Sequence, residues 1–319
     1  MTHRRIWAAA AAVSLVLGAT ACSSSTGAPQ SGGAASAVGA DDSLKGATFT
    51  VSSKDFTESI LLGKITEDVL KFHGATVNDK TNIKGSVNTR EALTSGQVDM
   101  YWEYTGTAWI TYLKNTKPVA DPAAQFDAVK TADAKNGIAW LPMAAMNDTY
   151  AFATPADTAS KLGVSKLSDL AKLQPSDLTF CIESEFSTRD DGFPGMTKAY
   201  GITVPGGGVK MLDTGVIYQT TAKGGTCNFG EVFATDGRIA ALKLKVLDDD
   251  KHFFPNYNAA LTLKQTTLDK YPKIADYMAP VAAKLDNATM TSLNAKVDAE
   301  GQDPGDVATQ WLKSQGLVK

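Results

Sequence analysis

The sequence predicts an α/β fold in two lobes, each built on a mainly parallel sheet flanked by helices. Three observations carry this expectation. Between Ala47 and Tyr101, β-prone runs alternate with runs whose apolar residues recur at helical spacing, and the connections are short. That alternation is the mark of parallel α/β units. The chain has 319 residues, 43% of them hydrophobic, which is enough for two separate cores. The polar break Asn147-Asp148-Thr149 lies between two β-prone runs and marks a crossing from one lobe to the other.

The folded part opens with a β-prone run over Ala47–Ser53. Asp55, with Glu58 three residues later, reads as a capping box. Ile60, Leu61, Ile65 and Val69 then keep helical spacing until Gly74 stops the helix. A second β-prone run spans Ala75–Ile83, a short helix runs from about Asn88 to Gly96, and a third strand follows at Val98–Tyr101. Asp121-Pro122 starts a helix that Gly137 ends. Strands are expected at Ile138–Ala145, Tyr150–Ala153, Leu178–Ile182, Val209–Leu212 and Asn228–Thr235. A loop carrying Arg189 precedes a helix that ends at Tyr200-Gly201, and Val216–Ala222 is a second helix. After Leu244–Leu247 and the acidic run Asp248–Asp250, read as a solvated turn, the tail from about Leu268 to Leu317 is helical in pattern. Residues 46–146 with 248–319 are assigned to lobe I, and 147–247 to lobe II.

Net charge is −3, so nothing points to a nucleic-acid partner. After the N-terminus no apolar run is long enough to span a membrane. The N-terminus itself has a basic His3-Arg4-Arg5, an apolar Ile6–Leu17 and small residues before Cys22. This predicts a signal peptide over 1–21. Cys22 followed by serines is similar to a bacterial lipoprotein processing site, although Ala19 stands where Leu, Val or Ile is usual. Lipidation at Cys22, a flexible tether over 22–45 and a place on the outer face of the cell membrane are therefore expected. Cys181 and Cys227 remain, and in an exported chain they suit one disulfide, with two buried thiols as the alternative.

Residues 99–109 concentrate aromatic side chains in a chain that is only 8% aromatic, and they break at Thr105-Gly106-Thr107. Aromatics on a strand serve a core more often than a cage. Beside a small-residue turn, though, their faces can attract a cation. Lys54 and the Tyr104–Thr107 segment both follow strands, so both sit where ligands of α/β sheets bind.

Several segments together resemble the substrate-binding proteins of ABC importers for glycine betaine, choline and related quaternary ammonium osmoprotectants. They are Lys54-Asp55-Phe56-Thr57-Glu58, Gly96-Gln97-Val98-Asp99, Glu103-Tyr104-Thr105-Gly106-Thr107, Arg189-Asp190-Asp191-Gly192, Thr235-Asp236-Gly237-Arg238-Ile239, Leu247-Asp248-Asp249 and Phe254-Pro255-Asn256-Tyr257. The similarity runs over roughly 45–319. It implies a two-lobed, periplasmic-binding-protein-like fold of type II that closes on its ligand, and a cage of rings around a trimethylammonium head. In the matching positions the rings are Tyr104, Tyr150, Phe233 and Tyr257, with Asp148 as an acidic residue beside them. Lys54, Thr107 and Arg189 match positions that hold the ligand's carboxylate. The family often has tyrosine where this chain has Phe233, so a hydroxyl is lost there. Asp99, Trp102 and Glu103 are read as structural.

The chemistry is consistent with that resemblance. A quaternary ammonium has no N–H, so only ring faces, shape and negative charge can read it. An arginine fork and a lysine suit a carboxylate at the other end, which favours a betaine over choline. Choline, carnitine or another small zwitterion is the alternative ligand. An exported enzyme is a competing class, but the chain has only three histidines and lacks Gly-x-Ser-x-Gly, His-Glu-x-x-His and a P-loop. A ligand-presenting sensor is a third reading. The expectation is a monomeric binder, without metal or cofactor, that delivers ligand to a membrane permease.

Overall fold

The computed structural model describes residues 39–319. The signal-peptide expectation, Cys22 and the first part of the tether lie outside the described residues.

Lobe I is a five-stranded sheet in the order β2-β1-β3-β10-β4, from Thr76–Ile83, Thr48–Lys54, Met100–Tyr104, Ala259–Lys264 and Ile138–Trp140. Lobe II is a five-stranded sheet in the order β7-β6-β8-β5-β9, from Val209–Met211, Phe180–Ile182, Phe229–Phe233, Tyr150–Pro155 and Leu244–Val246. In each sheet four of the five strands share one direction, as expected of a mainly parallel sheet, and one strand runs against them. β1 pairs in parallel with β2 and β3, but β10 runs antiparallel to β3 and β4. Likewise β6 is parallel to β7 and β8, while β5 is antiparallel to β8 and β9. The reason lies in the connections. β5 and β10 enter their sheets directly from the other lobe, with no crossover helix to turn the chain round, so they run against their neighbours.

β10 is a central strand that the sequence reading missed. Ala259-Ala260-Leu261-Thr262-Leu263 is buried throughout and carries no period-two alternation. A short run covered on both faces has no polar side to betray it.

In lobe I, α1 (Thr57–Phe72) lays Leu61, Leu62, Ile65 and Val69 on the sheet. Helices α11 (Lys273–Ala282), α12 (Asn287–Asp298) and α13 (Pro304–Ser314) close over the same core with Met278, Leu293 and Trp311. In lobe II, Phe152, Phe180, Phe186 and Phe229 form the centre of the core. The disulfide Cys181–Cys227 ties β6 to the residues before β8, with Cα atoms 5.7 Å apart.

Three boundaries move. The tether expected to reach residue 45 is packed by Asp41: its carboxylate accepts from Tyr277 Oη at 2.6 and 2.8 Å, and Leu44 is buried in the lobe I core. Lobe II does not end at 247. Leu247 and Phe254 belong to its core, and Asp249 accepts from the backbone of Phe253 and Phe254 at 3.0 and 2.9 Å. The acidic run is therefore a built turn, and the return to lobe I falls near Pro255–Asn258. The third strand extends to Tyr104, and Thr105–Thr107 forms a helical turn, α3, leading into a π-helix over Ala108–Tyr112.

The two crossing segments lie side by side. Asn147 bridges Asn258, and Tyr257 N donates to Asn147 Oδ1 at 2.7 Å. They carry Asp148, Tyr150 and Tyr257 into the space between the lobes.

Candidate functional site

Rings from both lobes meet between the sheets. Tyr104 ends β3, Phe56 precedes α1, Phe233 ends β8, Tyr150 begins β5, and Tyr257 lies two residues before β10. Neighbouring centroids are 5.8 Å apart for Tyr104–Phe56, 5.1 Å for Phe56–Phe233, 5.3 Å for Phe233–Tyr150 and 5.2 Å for Tyr150–Tyr257. Sheet register makes part of this arrangement, because Tyr150 and Phe233 are direct cross-strand partners. Phe233 N also donates to Tyr218 Oη at 2.9 Å, which fixes the end of β8. Gly106 lies against the Tyr257 ring: a Cβ there would stand 2.7 Å from two of its carbons.

All four rings expected from the sequence are in this cluster. Phe56 joins them, although the sequence does not mark it as a ring of the cage, and through Phe233 it links the rings of the two lobes. Its signal was position, since it lies two residues from Lys54 in the same turn. Burial pushes the Tyr104, Tyr150 and Tyr257 phenols well above their usual range, so they stay neutral donors. Tyr104 Oη donates to Glu58 Oε1 at 2.9 Å, and Tyr257 Oη to Asp191 Oδ2 at 2.6 Å.

The two cations flank the rings. Lys54 Nζ is 5.1 Å from the Tyr104 centroid, and the Arg189 guanidinium carbon is 5.7 Å from that of Tyr150. Both are already paired. Lys54 Nζ donates to Glu103 Oε1 at 2.6 Å, so Glu103, read as structural, orients a site lysine. Arg189 directs Nε and Nη2 at the Asp191 carboxylate, 2.7 and 2.5 Å away, and Nη1 at Glu185 Oε1, 2.9 Å away. Asp191 could have been suspected from its place two residues after Arg189 in a loop. Thr107 is buried in α3 but lines neither of the small cavities beside the rings.

The acidic side differs most from expectation. Asp55 and Glu58 form no capping box: Phe56 is the cap residue of α1, and no side chain bonds there. Asp55 instead accepts from Gly85 N at 3.1 Å. Glu58 turns inward and meets Asp148 at a single hydroxyl. Thr235 Oγ1 lies 2.6 Å from Asp148 Oδ1 and also touches Glu58 Oε2. Asn294 Nδ2 donates to Glu58 Oε2 at 3.2 Å. One hydroxyl hydrogen cannot serve two carboxylates, so this geometry needs a proton on one of the acids. Burial supplies the cause. It pushes Asp148 up to about 6 and, with Asp148 beside it, Glu58 well above the ordinary carboxyl range.

Two small cavities flank the Phe56–Phe233 contact. One, about 50 Å³, is bounded by Lys54, Tyr150, Glu183, Glu185 and Glu231. The other, about 10 Å³, is bounded by Glu58, Asp148, Thr235 and Arg238. The arrangement can therefore surround a cation with ring faces and carboxylates, and present guanidinium and ammonium groups to an anion.

Comparison with known proteins points the same way. The family model for OpuAC, described as the substrate binding domain of ABC-type glycine betaine transport system, matches residues 47–314. The glycine-betaine-binding protein of Pseudomonas aeruginosa is 37% identical over 279 residues, covering 85% of this chain and 89% of that protein. An ergothioneine transport permease and binding protein of Helicobacter pylori is 33% identical over 271 residues; the match covers 84% of this chain but only 48% of that longer protein. The solved structure of apo YehZ from Escherichia coli superposes with a TM-score of 0.63 at 33% identity, covering 85% of this chain and 99% of the other.

Proposed function

This chain belongs to the family of substrate-binding domains of ABC-type glycine betaine transport systems, and from that premise we propose that it captures glycine betaine or a related trimethylammonium zwitterion between its lobes. The observation that supports this reading is the convergence of Tyr104, Phe56, Phe233, Tyr150 and Tyr257 from both lobes, with Lys54 against Tyr104 and Arg189 against Tyr150.

The ring faces would hold the methylated head, each contributing about 0.5–2 kcal/mol where water is excluded. Asp148 and Glu58 lie on the same side as Phe56 and Phe233 and supply negative potential. The rings are packed against one another around a cavity of about 50 Å³. A small-molecule pocket is usually at least about 300 Å³, so the rings must spread for a ligand to enter. Bending at the paired segments through Asn147 and Asn258 lets the lobes part and close, and ligand biases closure by contacts made only in the closed form.

The rest of the reading follows the sequence. Cys22 carries the lipid, the segment after it tethers a monomeric binding body outside the cell membrane, and a permease with its own ATPase takes the ligand. Lobe I comprises the segments on either side of lobe II, whose limits are near residues 149 and 255.

Calorimetric titration with glycine betaine, carnitine, ergothioneine and choline tests the proposal, with proline as a control lacking the trimethylammonium head. Glycine betaine is expected to bind and to be recovered unchanged. Tyr104→Ala and Arg189→Ala should each weaken it about ten-fold or more. Unchanged affinity in both variants would remove the site assignment, and turnover of the ligand would favour the enzyme reading.

A further inference from the structure

Glu185 sits where a ligand's acidic end would be received. Its Oε1 accepts from Arg189 Nη1 at 2.9 Å, and its Oε2 accepts from the backbone N–H of Ser86 at 2.8 Å. Ser86 is the first residue of α2 (Ser86–Ser95), so that N–H has no acceptor within the helix and lies at the positive end of a ten-residue helix. Burial pushes the Glu185 carboxyl up, but Arg189 and Lys54 outweigh it and hold the group below its usual range. One side chain from lobe II thus touches or faces all three positive features of this side of the cleft.

We propose that Glu185 is a built-in competitor for the ligand's carboxylate: it occupies the anion position made by Arg189 Nη1, the Ser86 N–H and the field of Lys54, and must be displaced when a zwitterion binds. This inference rests on the reading of the cleft given above and adds a residue that sets its specificity.

The charge count supports displacement. Asp191 already takes Nε and Nη2 of Arg189, and its Oδ2 also accepts from Tyr257. Arg189 therefore has one positive charge and two carboxylate partners, and Glu185 is the second. A ligand carboxylate arriving as a third would meet two like charges on one guanidinium. Exchanging it for Glu185 keeps the count unchanged and leaves Asp191 to orient the arginine.

The surroundings allow the exchange. Glu185 belongs to the loop between β6 and α7 (Phe193–Tyr200), outside any helix or strand. Its side chain keeps 26% of its exposure, while that of Arg189 keeps 5%. It lines both the inner cavity with Lys54 and Tyr150 and an outer groove of about 360 Å³ walled by Val87, Asn88, Ile110 and Lys114. Glu185 is thus the partition between ring cluster and groove, and a rotation of its side chain toward the groove opens one to the other. A cation without a carboxylate has no use for the vacated position. It gains only from the negative potential Glu185 provides.

The two ligand types should therefore respond oppositely to loss of this charge. In Glu185→Gln, glycine betaine is expected to bind about ten-fold more tightly than in wild type, while choline binds no better or more weakly. The ratio of the two dissociation constants, read by calorimetry on the whole protein, then shifts about ten-fold or more toward betaine. Equal shifts for both ligands, or none, would overturn the inference and make Glu185 a plain contact between the lobes. Should Glu185→Gln fail to fold, judged by its thermal melt, Glu185→Asp keeps the charge but is one methylene too short to reach both Arg189 and Ser86. It should also favour betaine, and an unchanged ratio there counts against the proposal equally. A wild-type protein that binds betaine with no ratio change in the variants removes the role of Glu185 alone; one that binds neither ligand removes the reading of the cleft, and this inference with it.

Discussion

Thr235 carries one hydroxyl hydrogen and faces two carboxyl groups, Glu58 from α1 and Asp148 from the crossing segment. This meeting has a consequence for pH. Both acids are pushed upward by burial, Asp148 to about 6. The unfolded chain ionises them in the ordinary carboxyl range, so above that range the folded protein holds more protons than the unfolded one. Stability from these groups is present at low pH and is lost as pH rises through the folded values. Glu58→Gln, which imitates the protonated acid, should remove part of that loss. The urea midpoint of wild type is expected to fall further than that of the variant between about pH 5 and pH 8. Parallel pH profiles would mean that Glu58 is ionised in the fold. The same residue shows why local reading misled: Asp55 and Glu58 have capping-box spacing, yet Glu58 finds its partners in Tyr104, Thr235 and Asn294, all remote in sequence.

At the level of elements, α3 and the segment before β10 fit together through one missing side chain. A Cβ on Gly106 would lie 2.7 Å from Tyr257 ring carbons and 2.8 Å from Asn256 O. Gly106→Ala should push the Tyr257 ring and the Asn256 backbone away from α3, weakening betaine binding about ten-fold and lowering the thermal midpoint as well. Unaltered affinity would show that Tyr257 is not part of the cage. Lobe II offers a complementary test. The disulfide joins residues 46 positions apart, and closing such a loop contributes about 4 kcal/mol in the chain-entropy model. Cys181→Ser with Cys227→Ser should lower the unfolding midpoint of the protein while leaving ligand affinity near that of wild type, because both cysteines are buried in lobe II away from the rings. A large affinity loss at an unchanged midpoint would contradict that separation.

Across the whole molecule, closure depends on how nearly the turn after β8 can approach α12. Asn294 Nδ2 donates to Thr235 O at 3.0 Å, Arg238 lies 3.5 Å from Asp298, and a Cβ on Gly237 would stand 2.4 Å from Ala295 Cα. Here a glycine is required by contact between lobes rather than by backbone angle. Gly237→Val should therefore prop the lobes apart without harming either core. Small-angle scattering is expected to show a wild-type body that is compact with glycine betaine and a variant that stays wider, with binding weakened about ten-fold or more. A variant as compact as wild type with ligand present would place the limit on closure elsewhere.

The features legible along the chain are local and periodic. Alternating β-prone and helix-spaced runs set the α/β class, the polar break near Asn147 set the first crossing, and spacing against a known family picked out Tyr104, Tyr150, Phe233, Tyr257, Lys54 and Arg189. These properties depend on neighbours along the chain, so they can be read there. Packing in three dimensions makes β10 a central strand, brings Phe56 to the rings, turns Glu58 toward Asp148, and pairs Lys54 and Arg189 with Glu103, Asp191 and Glu185. Which carboxylate a cation keeps is settled by burial. In water each pairing is worth little and many are equivalent; in a desolvated cleft an unpaired charge is strongly unfavourable, and the fold alone determines which partners are within reach.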